Sequence, residues 1–230
     1  MLFIYNFKIC FLNLFAFISH AFLNFKKTFD SLDWNYAGFG KLWTYNLNYF
    51  DFLNETQITK EQGLFLIEDC IKNEGDLKDG LESYPISLRG INWIKFLSEH
   101  KVKNLKINQV LYNHYKCLYS NLEYHLLGNH LLENGFSLLF GAYYFQDEKL
   151  YQKAEKIIRT ELKEQILNDG AHFELSPMYH QIILFRLLDS IQLIQLNSWK
   201  NNELLSFLNE KAAKMLGWLE VITYKNGGIP

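Results

Sequence analysis

Helical periodicity is the feature of this chain that most restricts its fold. Apolar residues recur every three or four positions, as at Leu64, Ile67 and Ile71, and no apolar–polar alternation is sustained. Proline, which interrupts helices, occurs only three times in 230 residues. The pattern predicts helices at 61–73, 87–100, 105–125, 129–146, 148–167, 177–196 and 202–223.

Short turns rich in Gly, Asn and Asp separate these predicted helices. Because helices joined by few residues run antiparallel beside one another, the sequence predicts an all-α fold of helical hairpins. We expect seven or more helices and at most trivial strand content. The segments do not repeat at a fixed period, which disfavours a regular solenoid without excluding it.

Composition and charge narrow the class of protein. A chain of this length with 49% hydrophobic and 17% aromatic residues is expected to form a sizeable core, alone or as part of a larger enzyme. The formal net charge is −2, and the lysines are interspersed with acidic residues. This distribution offers no basic surface for nucleic acid, so we expect no nucleic-acid partner.

The three cysteines indicate neither a disulfide framework nor a metal site. Cys10, Cys70 and Cys117 are odd in number and lack the spacing of metal ligands. We interpret them as core thiols. No other metal-binding cluster stands out, and we expect no metal and no cofactor.

Residues 1–21 have some features of a secretory signal. Lys8 precedes an apolar run from Ile9 to Ile18, and small residues at Ser19 and Ala21 suit a cleavage site. The alternative is an aromatic amphipathic helix packed on the body of the protein. The run is too short to span a membrane. A signal peptide would make the protein periplasmic or secreted; otherwise the sequence leaves its location open.

Two segments, 41–51 and 84–93, combine aromatic side chains with amides. Sugar-binding sites have this composition because an aromatic ring covers the apolar face of a pyranose while amides bond its hydroxyls. An arginine can in addition pair with a carboxylate or a sulfate. A core-lining helix start is the alternative for 41–51, and an ordinary structural helix with Pro85 in its first turn is the alternative for 84–93. The candidate residues are Trp43, Tyr45, Asn46, Asn48, Tyr84 and Arg89.

Groups capable of hydrogen bonding and proton transfer interrupt two other apolar segments, 126–134 and 169–180. Burying such a group without a partner costs about 1–3 kcal/mol, so their presence needs a reason. The two clusters can face one cleft only if the helices between and around them form a common scaffold. The candidate residues are Asn129, His130, His172, Glu174, Tyr179 and His180.

Helix capping is the alternative for these residues. Ser176–Pro177 is a good N-cap and first-turn pair, which by itself would place Tyr179 in the first turn of a helix. Asn129 could likewise cap the helix that follows it, and His172 and Glu174 could fasten the turn.

Taken in order, four segments resemble the N-terminal helical domain of the heparinase II/III-like polysaccharide lyases. The likeness covers about residues 22–230, and four ordered motifs are more specific than any one of them. The segments are Leu42–Asp51, Tyr84–Phe96, Leu126–Asn134 and Gly170–His180.

The resemblance implies a fold and a domain organisation. Full-length members have an incomplete α/α toroid followed by a β-sandwich domain that contributes to the active site. We therefore expect a leader at 1–21, the helical domain at 22–224, and at 225–230 the start of a connector to a C-terminal domain that this chain lacks. Such a chain is expected to be inactive or weakly active by itself.

The activity implied is β-elimination on a uronic-acid polysaccharide. This reaction needs a group that neutralises the carboxylate, a base for the C5 proton and an acid for the departing O4. Asn129 suits the first task, and His130 can share it or act as the base. Tyr179 matches the family's catalytic tyrosine and suits the acid, with proton abstraction on the same face as a further role. The reaction requires no divalent metal.

A tyrosine base faces an energetic difficulty. With a solution pKa near 10, only about 0.1% of a tyrosine side chain is phenolate at pH 7, so ionisation costs about 4 kcal/mol. His180 and Arg89 are candidates for lowering this cost.

The resemblance leaves two functions open. The first is the helical half of a lyase acting on an acidic polysaccharide whose exact glycan the sequence does not identify. The second is a non-catalytic helical module that binds glycan or protein. The predicted substrate-binding residues are Trp43, Tyr45, Asn46, Asn48, Tyr84, Arg89, His172, Glu174 and His180.

Overall fold

The prediction of a predominantly helical chain is confirmed. The described residues hold eight α-helices, three short 3₁₀ segments and one two-stranded hairpin. They divide between Ser120 and Asn121 into two compact units, and each unit is described by itself. The computed structural model describes residues 18–126, 128–200, 203–224 and 227.

The predicted leader and the predicted connector lie partly outside the described residues. For the leader at 1–21 this applies to residues 1–17, and for the connector at 225–230 to every residue except Gly227. Residues 18–21 belong to a β-strand, so the alternative of an amphipathic helix is wrong for this part of the leader.

The first unit, residues 18–120, contains the hairpin and four helices. The strands pair antiparallel, with Ile18 opposite Phe29. The elements are β1 (Ile18–Phe22), β2 (Phe25–Phe29), α1 (Lys41–Tyr49), α2 (Lys60–Lys72), α3 (Ser83–Glu99) and α4 (Leu105–Ser120), with 3₁₀ turns at Asp51–Asn54, Glu74–Asp76 and Asp79–Leu81.

Helix α3 forms the centre of this unit, because twelve of its 17 residues are buried and it packs against both α1 and α4. Trp93 of α3 meets Phe50 edge-on at 5.4 Å, and Trp34 stacks on the same ring at 4.8 Å. Gly63 of α2 allows Phe96 to approach, since a Cβ there would lie 2.2 Å from the ring.

The second unit, which begins at residue 121, consists of helical hairpins. Helix α5 packs against α6 and α7, and α7 packs against α8. Gly135 permits the close approach of α5 to α6, because a Cβ there would lie 2.8 Å from Ile157. The helices are α5 (His130–Phe145), α6 (Glu148–Gln165), α7 (Pro177–Gln195) and α8 (Glu203–Ile222).

The predicted helices agree with the structure except at a few ends. Helix α3 begins four residues earlier than the predicted 87, and α4 ends at Ser120 rather than at 125. Helix α1 was predicted only in the alternative that segment 41–51 is a core-lining helix start. The interpretation of the cysteines as core thiols holds for Cys70 but is wrong for Cys117, which is exposed; Cys10 lies outside the described residues.

Candidate active site

Asn129 stands immediately before α5. Gly128 adopts a left-handed backbone conformation with φ of 83°, which turns the chain into the helix. The Asn129 carbonyl accepts the first helical hydrogen bond, from the Glu133 amide at 2.9 Å. Among the described residues its side chain makes no capping hydrogen bond. The helix start therefore places this amide without using it as a cap.

His130 is the first residue of α5 and contacts a carboxylate. Its Nδ1 lies 3.3 Å from Oε1 of Glu123, and 36% of its side chain is exposed. The other carboxylate oxygen of Glu123 accepts a hydrogen bond from Nδ2 of Asn134 at 2.9 Å. The imidazole is thus anchored on one edge while part of the ring faces solvent.

Tyr179 lies in the first turn of α7. Ser176 is the N-cap, its hydroxyl accepts from the Tyr179 amide at 3.5 Å, and Pro177 occupies the first turn. The predicted cap at Ser176–Pro177 is confirmed. Leu175 precedes it with a positive φ of 52°, a conformation that leucine rarely adopts. Tyr179 is half-buried at this tightly bent entry to the helix.

His180 is fully buried, and both of its ring nitrogens bond to the backbone. Nδ1 accepts from the His172 amide at 3.3 Å, so Nε2 carries the hydrogen and donates to the Met215 carbonyl at 3.0 Å. Burial lowers the pKa of His180. A neutral, fully bonded ring fastens the turn and supplies no positive charge to help ionise a phenol.

His172 is also buried and neutral. Burial is the main cause that lowers the pKa of His172 to about 4, and the neighbouring His180 is the second. Its Nε2 lies 3.2 Å from Oε1 of Gln165, the last residue of α6. An imidazole that titrates so far below neutrality is a poor base at pH 7 and a good neutral hydrogen-bond donor.

Gln165 connects the two polar clusters of the second unit. Its amide nitrogen donates to the Gly128 carbonyl at 3.0 Å and to Glu161 at 2.9 Å, while its oxygen faces His172. The Glu174 carboxylate lies beside the same glycine, since a Cβ on Gly128 would stand 2.9 Å from its Oε1. Segments 128–130 and 172–180 are therefore held together through one buried amide.

A second connection joins α5 to α7. Glu133 is completely buried and its Oε2 accepts from Nε of Arg186 at 3.1 Å, while Arg186 Nη1 lies 3.6 Å from Asp189. Breaking a buried pair by removing one partner leaves an uncompensated charge, which typically costs about 3–5 kcal/mol. The helix that begins at His130 is thus tied to the helix that carries Tyr179.

Sequence reasoning did not identify Glu123, Gln165 or the Glu133–Arg186 pair. A signal for Gln165 was present, because Ile158 and Leu162 precede it by seven and three positions and both are buried. A polar residue on the apolar stripe of an amphipathic helix indicates a buried hydrogen-bonding role.

Three of the predicted residues in the first unit line its core. Trp43 is fully buried and donates from Nε1 to the Phe25 carbonyl at 3.1 Å. Asn48 donates to the Trp34 carbonyl at 2.9 Å, and Arg89 donates from Nη1 to the Gly80 carbonyl at 2.8 Å; both are fully buried. These side chains bond to the protein's own backbone in this structure.

Tyr45, Asn46 and Tyr84 are partly exposed. The Tyr45 hydroxyl hydrogen-bonds Glu82, and Lys41 lies 2.6 Å from Glu82 and 5.1 Å from the centre of the Tyr45 ring. Burial, with the Glu82 contact, raises the pKa of Tyr45 to about 12. The partly exposed rings of Tyr45 and Tyr84 each contact the buried Tyr49, with ring centres 6.2 and 5.8 Å apart, and both residues stay predicted sugar-binding residues.

Within the described ranges the chain has neither a metal-binding cluster nor a membrane-spanning helix. There, no three His, Cys, Asp or Glu side chains come close enough to hold a metal ion. No helix of the described segments is long and apolar enough to cross a membrane.

Comparison with known proteins identifies a family. Residues 84–229 match the family model of the heparinase II/III N-terminus. No curated protein matches the chain significantly.

Several solved structures share the fold. A mutant of the heparan sulfate lyase HepC from Pedobacter heparinus superposes with a TM-score of 0.65 at 17% identity, over 89% of this chain and 36% of that one. The unmutated HepC gives 0.60 at 17% identity over the same shares. A heparinase III gives 0.63 at 15% identity, over 91% of this chain and 39% of its own. The chain thus has the fold of these lyases and spans little more than a third of their length.

Proposed function

The chain belongs to the heparinase II/III N-terminal family, and from this premise we propose that it is the helical part of a polysaccharide lyase that cleaves uronic-acid-containing glycans by β-elimination. The observation that carries the proposal is the junction at Gln165. It holds the segment with Asn129 and His130 against the segment that leads to Tyr179. Two sequence motifs far apart in the chain thereby supply groups to one unit.

The reaction assigned to this site removes one proton from the sugar and breaks one C–O bond. A base takes the proton from C5, the electron pair of that C–H bond forms the C4–C5 double bond, and the C4–O4 bond breaks. The departing oxygen takes a proton from an acid. Asn129 is the proposed donor to the uronate carboxylate, and Tyr179 is the proposed acid.

Exposure separates two groups among the predicted substrate-binding residues. Tyr45, Asn46, Tyr84 and Glu174 are at least partly exposed, and we assign direct sugar contact to them. The buried residues are assigned a supporting role, each within its own unit. They are Trp43, Asn48, Arg89, His172 and His180.

A second domain is part of the proposal. The solved lyases of this fold are more than twice as long as this chain, so their whole activity is proposed for it only together with further sequence. We expect the 230-residue chain to bind acidic oligosaccharides weakly and to show little turnover. Binding without any turnover in a complete protein would favour the alternative, a non-catalytic glycan-binding module using the partly exposed Tyr45 and Tyr84 rings.

The test compares two tyrosines in a protein that continues through a C-terminal domain. Tyr179→Phe removes only the proton-transferring hydroxyl, so turnover should fall by about 10²–10⁴-fold while the melting temperature stays nearly unchanged. The measurement is the rise in ultraviolet absorbance of the unsaturated uronate product. Tyr119→Phe, at an exposed position of α4, is the matched control. Unchanged turnover in Tyr179→Phe would remove the catalytic role.

A further inference from the structure

Glu123 is an acid that contacts His130 from the turn preceding α5. Its side chain is 11% exposed, and its Oε1 lies 3.3 Å from Nδ1 of His130. A carboxylate oxygen can only accept a hydrogen bond, so the hydrogen of this contact sits on Nδ1. In a neutral imidazole the other nitrogen, Nε2, then carries the lone pair.

Asn134 fixes the orientation of that carboxylate. Its Nδ2 donates to Oε2 of Glu123 at 2.9 Å, and its Oδ1 accepts the Glu123 backbone N–H at 3.0 Å. Asn134 is fully buried and lies one helical turn beyond His130 in α5. Two hydrogen bonds to one side chain therefore hold Glu123 on the same rigid helix as the imidazole that it contacts.

We propose that Glu123 is a positioning residue that holds neutral His130 in the tautomer with hydrogen on Nδ1 and the lone pair on Nε2. The tautomer itself follows from the contacts above, and only its use in catalysis rests on the proposed function.

This tautomer separates the roles of two neighbouring residues. A ring with its lone pair on Nε2 accepts a hydrogen bond or a proton there, so His130 suits abstraction of the C5 proton. It does not suit donation to the uronate carboxylate, a task that falls to the Asn129 amide. When Nε2 takes the proton the ring becomes an imidazolium, and the adjacent Glu123 carboxylate stabilises that charge.

Glu123→Gln is the variant that tests the assignment. The Asn134 amide must still donate to an oxygen, so the side-chain oxygen of the introduced glutamine stays on the Asn134 side and its NH₂ group faces Nδ1 of His130. A facing donor requires Nδ1 to accept, which moves the ring hydrogen to Nε2. Glu155→Gln removes a carboxylate from α6 of the same unit, where it pairs with Arg159, and is the matched control.

The measurement is the ¹⁵N spectrum of the histidine-labelled 230-residue chain, recorded at a pH where the His130 ring is neutral; a His130→Gln sample identifies its signals. We expect a protonated Nδ1 and an unprotonated Nε2 in the unmodified chain and in Glu155→Gln. In Glu123→Gln the two nitrogens should exchange these states, with an unchanged circular dichroism spectrum.

A protonated Nε2 in the unmodified chain would overturn the proposal, and so would a Glu123→Gln chain that folds and keeps the original tautomer. The first result needs no variant, so the inference stays testable if Glu123→Gln does not fold. Addition of a uronate oligosaccharide separates the two proposals: the expected tautomer in a chain that binds no oligosaccharide supports the positioning role and contradicts the sugar binding proposed for this chain.

Discussion

The two units use their polar side chains in different ways. In the first unit, the buried Trp43, Asn48 and Arg89 bond to backbone carbonyls close to them in the fold and hold the core. In the second unit, Gln165 bonds to the His172 side chain and to the Gly128 carbonyl. Glu123 contacts the side chains of His130 and Asn134. The difference teaches that a polar residue in an apolar segment can either hold the core through backbone bonds or connect distant segments through side-chain bonds.

The largest effect is expected for Trp43, and it tests whether the buried polar and aromatic residues of the first unit hold its core. Trp43→Ala removes a fully buried aromatic side chain, so the free energy of unfolding should fall by about 3–5 kcal/mol. Tyr45→Ala, two residues along the same helix but partly exposed, should change it by no more than about 1 kcal/mol. Urea denaturation measures both. A small effect of Trp43→Ala would contradict its role in the core.

A smaller effect is expected at the junction in the second unit. Gln165→Glu keeps the shape of the side chain but removes both N–H donors, leaving the Gly128 carbonyl without this partner and placing a carboxylate next to Glu161. The unfolding free energy should fall by about 1–3 kcal/mol.

Hydrogen–deuterium exchange would sharpen that result. In Gln165→Glu, exchange should accelerate in both 128–134 and 170–180, because one amide holds the two segments. Gln152→Glu, at an exposed position of the same helix, is the control and should leave both segments unchanged. Acceleration in only one segment would show that Gln165 does not couple them.

The last expected effect is a pH dependence. The folded-state pKa of His172 is about 4 against an ordinary value of 6.5, and burial is the main cause. Between these values the unfolded chain binds more protons than the folded chain. The contribution of neutral His172 to stability is therefore fully present above pH 6.5 and is lost as the pH falls towards 4. His114 and His20, with pKa values lowered to about 4 and about 3, contribute in the same direction.

Replacement of His172 by Gln tests this contribution. Gln lacks a titrating group, so melting curves recorded from pH 7 to pH 4 should show a smaller loss of stability than in the unmodified chain. Identical slopes in the two chains would show that His172 does not remain neutral in the folded state.

Sequence and structure agree where the determining interactions are local. The Ser176–Pro177 cap and the start of α7 could be predicted because capping depends on residues within one turn. The end of α4 was predicted too late. Residues after Ser120 form the turn in which the Glu123 amide bonds Asn134, eleven positions away, and helical propensity contains no information about that bond.

The sequence by itself determined the helices, most of their bounds and the motifs that resemble a lyase, because apolar periodicity, caps and turn residues act over a few positions. Only the tertiary structure decided which polar groups meet. It buried His172 and His180 as neutral supports, left His130 partly exposed against Glu123, and made Gln165 the link between the motifs. Those outcomes depend on the packing of α5, α6 and α7, since hydrogen bonds between distant residues form only where packing brings their atoms within about 3 Å.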